Sequence, residues 1–348
     1  MKKLRVGYVP YSSDLSHPGD RRRIVFWAKN RGHKIVTDLD QKIDVLLLSE
    51  RADLGRFSKT QAGVPVVFDL IDGYLSRQSL INDWSRGVSK VMSGQLTGGI
   101  SPFSSFVKNL SATSNAVICS SQEQQEMISE YSDNVHIILD SHDEFPMRPF
   151  KHSIGTKPRT LLWEGMPATI GGLKALDTTL RELQVSVGFT LELVTDLNYF
   201  LLLGKYIKKD TDLLIRKNLK RNYPNSNLTN WSVPNLLSVA DKADAALIPI
   251  NLDNSLQSLK PENRLLIMWR LGIPCLTSSS RSYSRVSRLA DTDSSCENTT
   301  EWLLGLERVL SDDLYAAEMV RKGQHYLNTF HNSEVLLAKW DQAFESVL

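Results

Sequence analysis

The chain has 348 residues, 41 Lys and Arg against 39 Asp and Glu, and three cysteines. That length exceeds what one core usually holds, so two domains are expected, and the near-neutral charge excludes a nucleic-acid protein working through a strongly basic face. Cys119, Cys275 and Cys296 are widely spaced without a C-x-x-C pair, which excludes a disulfide framework or a zinc site and fits a reducing cytoplasm.

The start, MKKLRVGYVPYSSD, interrupts its apolar run within a few residues, and no run of about 18 apolar residues follows, so neither a secretion signal nor a membrane span is expected. Residues 3–10 read as a strand, SHPGD as a loop, and RRRIVFWAKNRGHKI as a helix carried by Ile24, Phe26 and Trp27 and closed by Gly32. Short apolar runs at 35–37, 44–49, 64–70, 115–121 and 135–141 are strands of the kind buried on both faces in a parallel sheet, with a helix in QEQQEMISEYS. Residues 76–112 mix helical spacing with Gly/Ser turns. They read either as a helix pair covering the sheet or as a mobile surface that binds an acceptor or touches a membrane.

FPMRPFKHSIGTKP, 145–158, has a linker composition, and the domain boundary is placed there, at residue 150. Strand and helix then alternate again: TLLWEG at 160–165, a helix at 172–183, FTLELVT at 189–195, a polar helical stretch at 210–221, and the strand AALIPI. This is a second Rossmann-like domain, 151–330, after a first one, 1–150. The end, from Thr300, has helical spacing.

In the first half, Gly19 would let backbone approach a ligand. Arg21 to Arg23 read either as a solvated helix face or as one that turns Arg21 or Arg22 toward a ligand. Asp69 and Asp72 end a strand beside Gly73; Asp69 reads as structural and Asp72 as an acceptor ligand or general base. The cluster Asp140, His142, Asp143 and Glu144 is the polarity of a loop rather than a metal site. Without a G-x-G-x-x-G no nicotinamide site is expected, and no cofactor or metal is called for.

In the second half the informative stretch is SLKPENRLLIMWRLGIPCLTSSSRSY. Pro261 and Glu262 suit the first turn of a helix running through Arg264 to Leu271, which Gly272 and Pro274 stop. Its N-terminus is an anion site; Lys260 adds a point charge for phosphate, and Glu262 accepts from hydroxyls such as those of a ribose.

In order, TLLWEG, NWSVPNLLSVADKADAALIPI and KPENRLLIMWRLGIPCL resemble GT-B glycosyltransferases, above all the retaining family with Glu-x7-Glu before Ala-x-Gly-x-Pro-Val (family 4-like), of the bacterial surface-polysaccharide type. The resemblance covers about 158–290. It implies two Rossmann-like domains facing across a cleft, an acceptor domain and a donor domain, with the helix at 331–348 crossing back to the first. It makes Glu262 the second glutamate and puts Asn254 where the first would stand, so that Asn254 and Ser255 would meet the donor sugar, and Lys260, Glu262 and Asn263 the nucleotide. Gly165 would begin the diphosphate pocket, with Lys174 as the nearest cation because MPATIGG lacks the usual Arg and Lys. Trp163 reads either as lining that pocket or as core, and Asn230 and Trp231 fall near the base. Gly19 and Arg21 would face the cleft. Catalysis would rest on Asp72 and Lys260.

The implied activity is transfer of a sugar from a nucleotide-sugar donor to a glycan or lipid-linked acceptor, with retention and without metal, by a cytoplasmic protein that is at most peripheral at the inner membrane face. The competing reading is a catalytically degenerate GT-B scaffold or a sugar-nucleotide-binding protein, favoured by Asn254 in place of a glutamate and by the cations missing from MPATIGG.

Overall fold

A computed structural model describes residues 2–59, 63–76, 79–151, 158–201, 207–215, 219, 223 and 225–348. Parts of the 145–158 segment, of the 210–221 helical stretch and of 76–112 thus lie outside the described residues. Two compact units result: Met1–His142 with Leu259–Pro261 and Asn332–Leu348, and Asp143–Ser258 with Glu262–His331.

The first unit is built on a six-stranded sheet. Its strands are β1 (Arg5–Val9), β2 (Lys34–Val36), β3 (Val45–Ser49), β4 (Val66–Leu70), β5 (Ala116–Cys119) and β6 (Val135–Ile137). They run in the order β2-β1-β3-β4-β5-β6, every neighbouring pair parallel. Successive strand residues point to opposite faces. Val45 and Leu47 therefore enter one core and Leu46 and Leu48 the other, which is why this strand is apolar throughout rather than alternating.

One face is covered by helices Val25–Arg31 and Ser333–Glu345, the last bringing Leu336, Leu337, Trp340, Ala343 and Phe344 into the core with Trp27. Trp27 stacks on Phe344 at 4.5 Å between centroids, and its Nε1 donates to Asp341 Oδ1 at 2.7 Å. The other face is covered by helix Phe103–Thr113 through Phe103, Phe106, Val107 and Leu110. Helix Leu80–Met92 lies against that helix: buried Asp83 accepts from Ser104 N at 2.9 Å, and a Cβ at Gly87 would lie 1.9 Å from Ser101 O. Residues 80–113 thus form a helix pair of which one member covers the sheet.

The second unit carries β7 (Arg159–Glu164), β8 (Phe189–Thr195), a hairpin of β9 (Asn198–Leu201) and β10 (Ile207–Asp210), β11 (Ser226–Asn230), β12 (Ala245–Ile248), β13 (Cys275–Ser278) and β14 (Ser295–Cys296). Its main sheet runs β11-β8-β7-β12-β13-β14, all parallel. The core packs Leu161, Trp163, Leu191 and Leu247 against Trp302 and Leu306 of helix Thr299–Ser311. Trp163 is therefore a core aromatic, fully buried.

The helical stretch expected at 210–221 is a helix over Thr211–Ile215, with Asp210 the last residue of β10, which pairs back on β9 at Asn198. Two expectations change. The part of 145–158 that is described is packed: Phe145 is buried, Arg148 N donates to Arg270 O at 2.9 Å, and Gln324 Nε2 donates to Arg148 O at 2.7 Å. The units accordingly part between His142 and Asp143. Pro261 lies ahead of its helix, Asn263–Arg270, with Glu262 at the N-cap rather than in the first turn.

Candidate functional site

In an open parallel sheet, ligands bind outside the carboxyl ends of the strands where the strand order reverses. In the second unit that point lies between β7, whose chain goes on to β8, and β12 on its other side.

Gly165 follows β7, and a Cβ there would meet Thr169 Oγ1 at 2.8 Å and Arg264 Nη1 at 3.1 Å. Helix Asn263–Arg270 delivers Arg264 onto the strand end, where its Nη1 donates to Glu164 O at 2.9 Å. This puts a cation at the strand end from a position 100 residues beyond Glu164. Burial pushes the Tyr283 phenol up to about 12, while Arg264, which hydrogen-bonds to it, pulls the other way.

Trp231 Nε1 donates to Glu164 Oε1 at 2.8 Å, which fixes the carboxylate; Glu164 Oε2 is buried and has no hydrogen-bond partner among the described residues. Asn263 Oδ1 is in the same condition. Two buried acceptors without donors, one on the residue whose carbonyl Arg264 holds and one on the residue before Arg264, leave hydrogen bonds for a ligand to complete.

Glu262 is 3% exposed, and its Oε2 lies 3.6 Å from Arg285 Nη2. Its carboxylate is held by a cation rather than presented openly. Asn254 is exposed, and its Oδ1 accepts from Leu256 N at 3.1 Å and Gln257 N at 3.2 Å, capping the turn Ser255–Ser258. Ser255 O in that turn accepts from Ser258 Oγ at 3.1 Å.

The first unit brings the two expected catalytic residues together. Leu259–Pro261 pack with this unit, and Lys260 Nζ lies 3.9 Å from Asp72 Oδ1. Asp72 also accepts at Oδ2 from Tyr74 Oη, 3.3 Å away, and its N–H donates to Glu50 Oε1 at 2.5 Å.

Gly19 is buried, and its missing Cβ makes room for the Tyr11 ring, two carbons of which would lie 2.9 Å away. The next residue, Asp20, ties the loop down by accepting from Tyr8 Oη at 2.6 Å and from the N–H groups of Tyr11 and Ser12 at 2.8 and 3.0 Å. Arg21 is half-buried, and its Nη1 donates to Ser16 O at 3.3 Å.

Arg23 is fully buried, against the reading of the whole arginine run as a solvated face. Its Nε and Nη2 make a bidentate pair with Asp69 at 2.9 and 2.6 Å, and its Nη1 reaches Ile138 O at 2.7 Å and Asp140 Oδ1 at 3.2 Å. Burial alone would lower this guanidinium's pKa; Asp69 and Asp140 outweigh it and raise it. Asp69 is thus structural, as a buried ion-pair partner. Among the described residues no group of three or more His, Cys, Asp and Glu could hold a metal ion.

No known family profile and no curated protein sequence matches the chain. Solved structures do. WaaG, a glycosyltransferase involved in lipopolysaccharide biosynthesis, superimposes with a TM-score of 0.60 at 12% identity over 99% of both chains. The fold is GT-B. A glycosyltransferase from Rickettsia africae ESF-5 shares this GT-B arrangement with a TM-score of 0.59 at 12% identity, again over 99% of each chain. TarM matches with a TM-score of 0.59 at 12% identity over 86% of this chain and 54% of its own, so the chain spans about half the length of TarM. An S. aureus TarM mutant was crystallised with fondaparinux, alpha-GlcNAc-glycerol and UDP.

Proposed function

We propose that the chain is a glycosyltransferase that moves a sugar from a nucleotide-sugar donor to a glycan or lipid-linked acceptor, with retention. The observation that carries this reading is the pair of unmet buried acceptors, Glu164 Oε2 and Asn263 Oδ1, beside Arg264 at the switch point of the second sheet. Unmet acceptors suit the hydroxyls of a ribose or sugar, and a guanidinium suits a diphosphate. UDP in the complex of the TarM mutant supports the same donor class.

In this reading Arg264, Lys260 and the N-terminus of helix Asn263–Arg270 stabilise the leaving diphosphate, so that side-chain cations serve in place of a metal. Gly165 lets the diphosphate approach the backbone, Glu262 is aligned by Arg285 for the ribose, and Asn254 and Ser255 meet the donor sugar. Asp72 orients the acceptor, and Gly19 and Arg21 shape the loop on the acceptor side. The acceptor attacks on the face the nucleotide leaves.

Calorimetry with UDP-, GDP-, TDP- and ADP-sugars tests the donor site. One nucleotide is expected to bind, and Arg264→Ala or Lys260→Ala to weaken it about tenfold or more, the worth of one charge-assisted hydrogen bond. A well-folded chain that binds none of them would leave the degenerate scaffold as the better reading.

The reading also places the protein in the cytoplasm, peripheral at the inner membrane face. No helix among the described residues is long and apolar enough to cross a membrane, but helix Leu80–Met92 holds Leu80, Ile81, Trp84 and Met92 at 76, 79, 45 and 79% exposure. At 100° per residue these four fall within one third of the helix circumference. Trp84 fluorescence is expected to shift to the blue with anionic vesicles, and Ile81→Asp to abolish the shift; a spectrum indifferent to lipid removes the membrane from the proposal.

A further inference from the structure

Leu259–Pro261 pack with the first unit, while Ser258 before them and Glu262 after them belong to the second. On either side of this excursion stand the elements to which the proposed function gives the donor sugar and the nucleotide, the turn Ser255–Ser258 and helix Asn263–Arg270. The residues between them form a strap.

The seat of the strap is Gly73, which is buried, while Leu259 is half-buried. A Cβ on Gly73 would lie 3.1 Å from Leu259 Cβ and 3.2 Å from Leu259 Cδ1, closer than the roughly 3.5–4.0 Å at which two carbon atoms attract best. The leucine thus rests on bare backbone that any other residue would cover. The loop carrying Gly73 is itself held, because Gln124 Nε2 donates to Ile71 O at 2.6 Å, the Asp72 N–H to Glu50 Oε1 at 2.5 Å, and Ser76 N to Gly73 O at 3.0 Å. The other tie, Lys260 Nζ to Asp72 Oδ1 at 3.9 Å, joins side chains that are 37 and 42% exposed. Ion pairs open to water contribute little, so the leucine, rather than the lysine, fixes the strap.

Little slack separates the strap from the helix. Pro261 has its own φ fixed by its ring, Glu262 is the N-cap, and Leu266 N donates to Glu262 O at 3.2 Å. The cap and the first turn are tied in the second unit as well, Glu262 Oε2 lying 3.6 Å from Arg285 Nη2 and Arg264 Nη1 donating to Glu164 O at 2.9 Å.

We propose that Leu259 and Gly73 are positioning residues for the donor site: the seat of Leu259 on Gly73 sets where Glu262, Asn263 and Arg264 stand, and so couples nucleotide binding at the helix start to the order of the loop at 71–76. The nucleotide in this statement rests on the proposed function; the link between seat and helix does not. Such coupling is reciprocal: the factor by which the seat raises nucleotide affinity is the factor by which the nucleotide steadies the seat.

The test compares the full wild-type chain with Leu259→Ala, Leu259→Met, Gly73→Ala and the two alanine substitutions combined, by amide exchange without ligand and by calorimetry with UDP-, GDP-, TDP- and ADP-sugars. In the free chain Leu259→Ala is expected to speed exchange of the Leu266 N–H, while exchange in β4 and β12 keeps its wild-type rate. Nucleotide affinity should fall about fivefold or more, the lower end of ordinary coupling between sites, and Leu259→Met, which refills the seat, should recover most of it. Gly73→Ala should act in the same direction, but cost less where the leucine is already shortened, because two of the three close contacts of the new methyl are then gone. Bound nucleotide should slow exchange of the Tyr74 and Ser76 N–H groups in wild type. Helix-start exchange that ignores Leu259→Ala, or alanine effects that simply add, overturns the proposal. A nucleotide that binds every variant equally well overturns it too and leaves the proposed function standing; exchange that responds as expected in a chain that binds no nucleotide keeps the link between seat and helix and removes the donor.

Discussion

Arg23→Ala is expected to destabilise the first unit by roughly 3–5 kcal/mol, because it leaves the fully buried Asp69 carboxylate without its cation. Three further bonds go with it: the second arm of the bidentate pair, the bond to Ile138 O and the one to Asp140. The physical content lies in the comparison with a double variant. Arg23→Met combined with Asp69→Leu removes both charges and refills the space with apolar groups, and such replacements of buried pairs are often neutral. Amide exchange in β4 and in the helical turn Asp20–Ile24, which this pair ties together, is the appropriate measurement, since it reports this unit separately. Comparable loss in the single and double variants would mean that shape at this site, rather than an uncompensated charge, limits stability.

Trp340→Ala is expected to cost about 3–5 kcal/mol, the usual range for a large aromatic removed from a core. Trp340 is 1% exposed, stands 6.3 Å from the Trp27 ring, and has the Arg23 guanidinium 5.7 Å above it. The cavity would open beneath helix Ser333–Glu345, whose remaining polar ties include the Arg31–Asp341 pair at 2.9 Å. Exchange in that helix should rise more than exchange in β8 or β12, and Trp340→Phe should recover part of the loss. Because Trp340 and Arg23 touch, the two substitutions together should depart from the sum of their separate effects. Strict additivity would show that the cation above the ring contributes nothing.

The parallel sheets were readable in the sequence to the degree that their strands are buried on both faces. β1, β3, β4 and β5 are short apolar runs bounded by polar or turn residues, and a strand closed in on both sides leaves no other trace. β11, SNLTN, is an edge strand of polar composition, and β14 has two residues; neither holds enough apolar surface to be seen. The hairpin of β9 and β10 is mostly exposed where it is described, and the sequence reading places no element between 196 and 209.

The candidate site was legible in the segment Lys260 to Asn263, because Lys, Pro and Glu at a helix start are a local pattern. Glu164 stood out only as the neighbour of Gly165, and Arg264 only as a residue of the helix; each acquires its character from a partner far away in the chain, as Arg264 does from Glu164. Arg23 is the same case in reverse: three arginines in a row resemble a solvated face until Asp69, 46 residues on, claims one of them.

The helix at the carboxyl end bears on how the chain is made. Synthesis runs from the amino end at about 5–20 residues per second, and domains usually fold as they emerge. Here the first unit has its six strands from residue 137 onward, yet one face of its sheet is completed only by residues 333–345. Trp27 waits 314 residues for Asp341. Throughout translation of the second unit, Leu4, Val6, Tyr8, Ile24 and Trp27 lack the cover that Leu336, Trp340 and Phe344 provide. From residue 137 to residue 333 the nascent chain thus carries an uncovered apolar face, a surface for holding chaperones to occupy until residues 333–345 arrive.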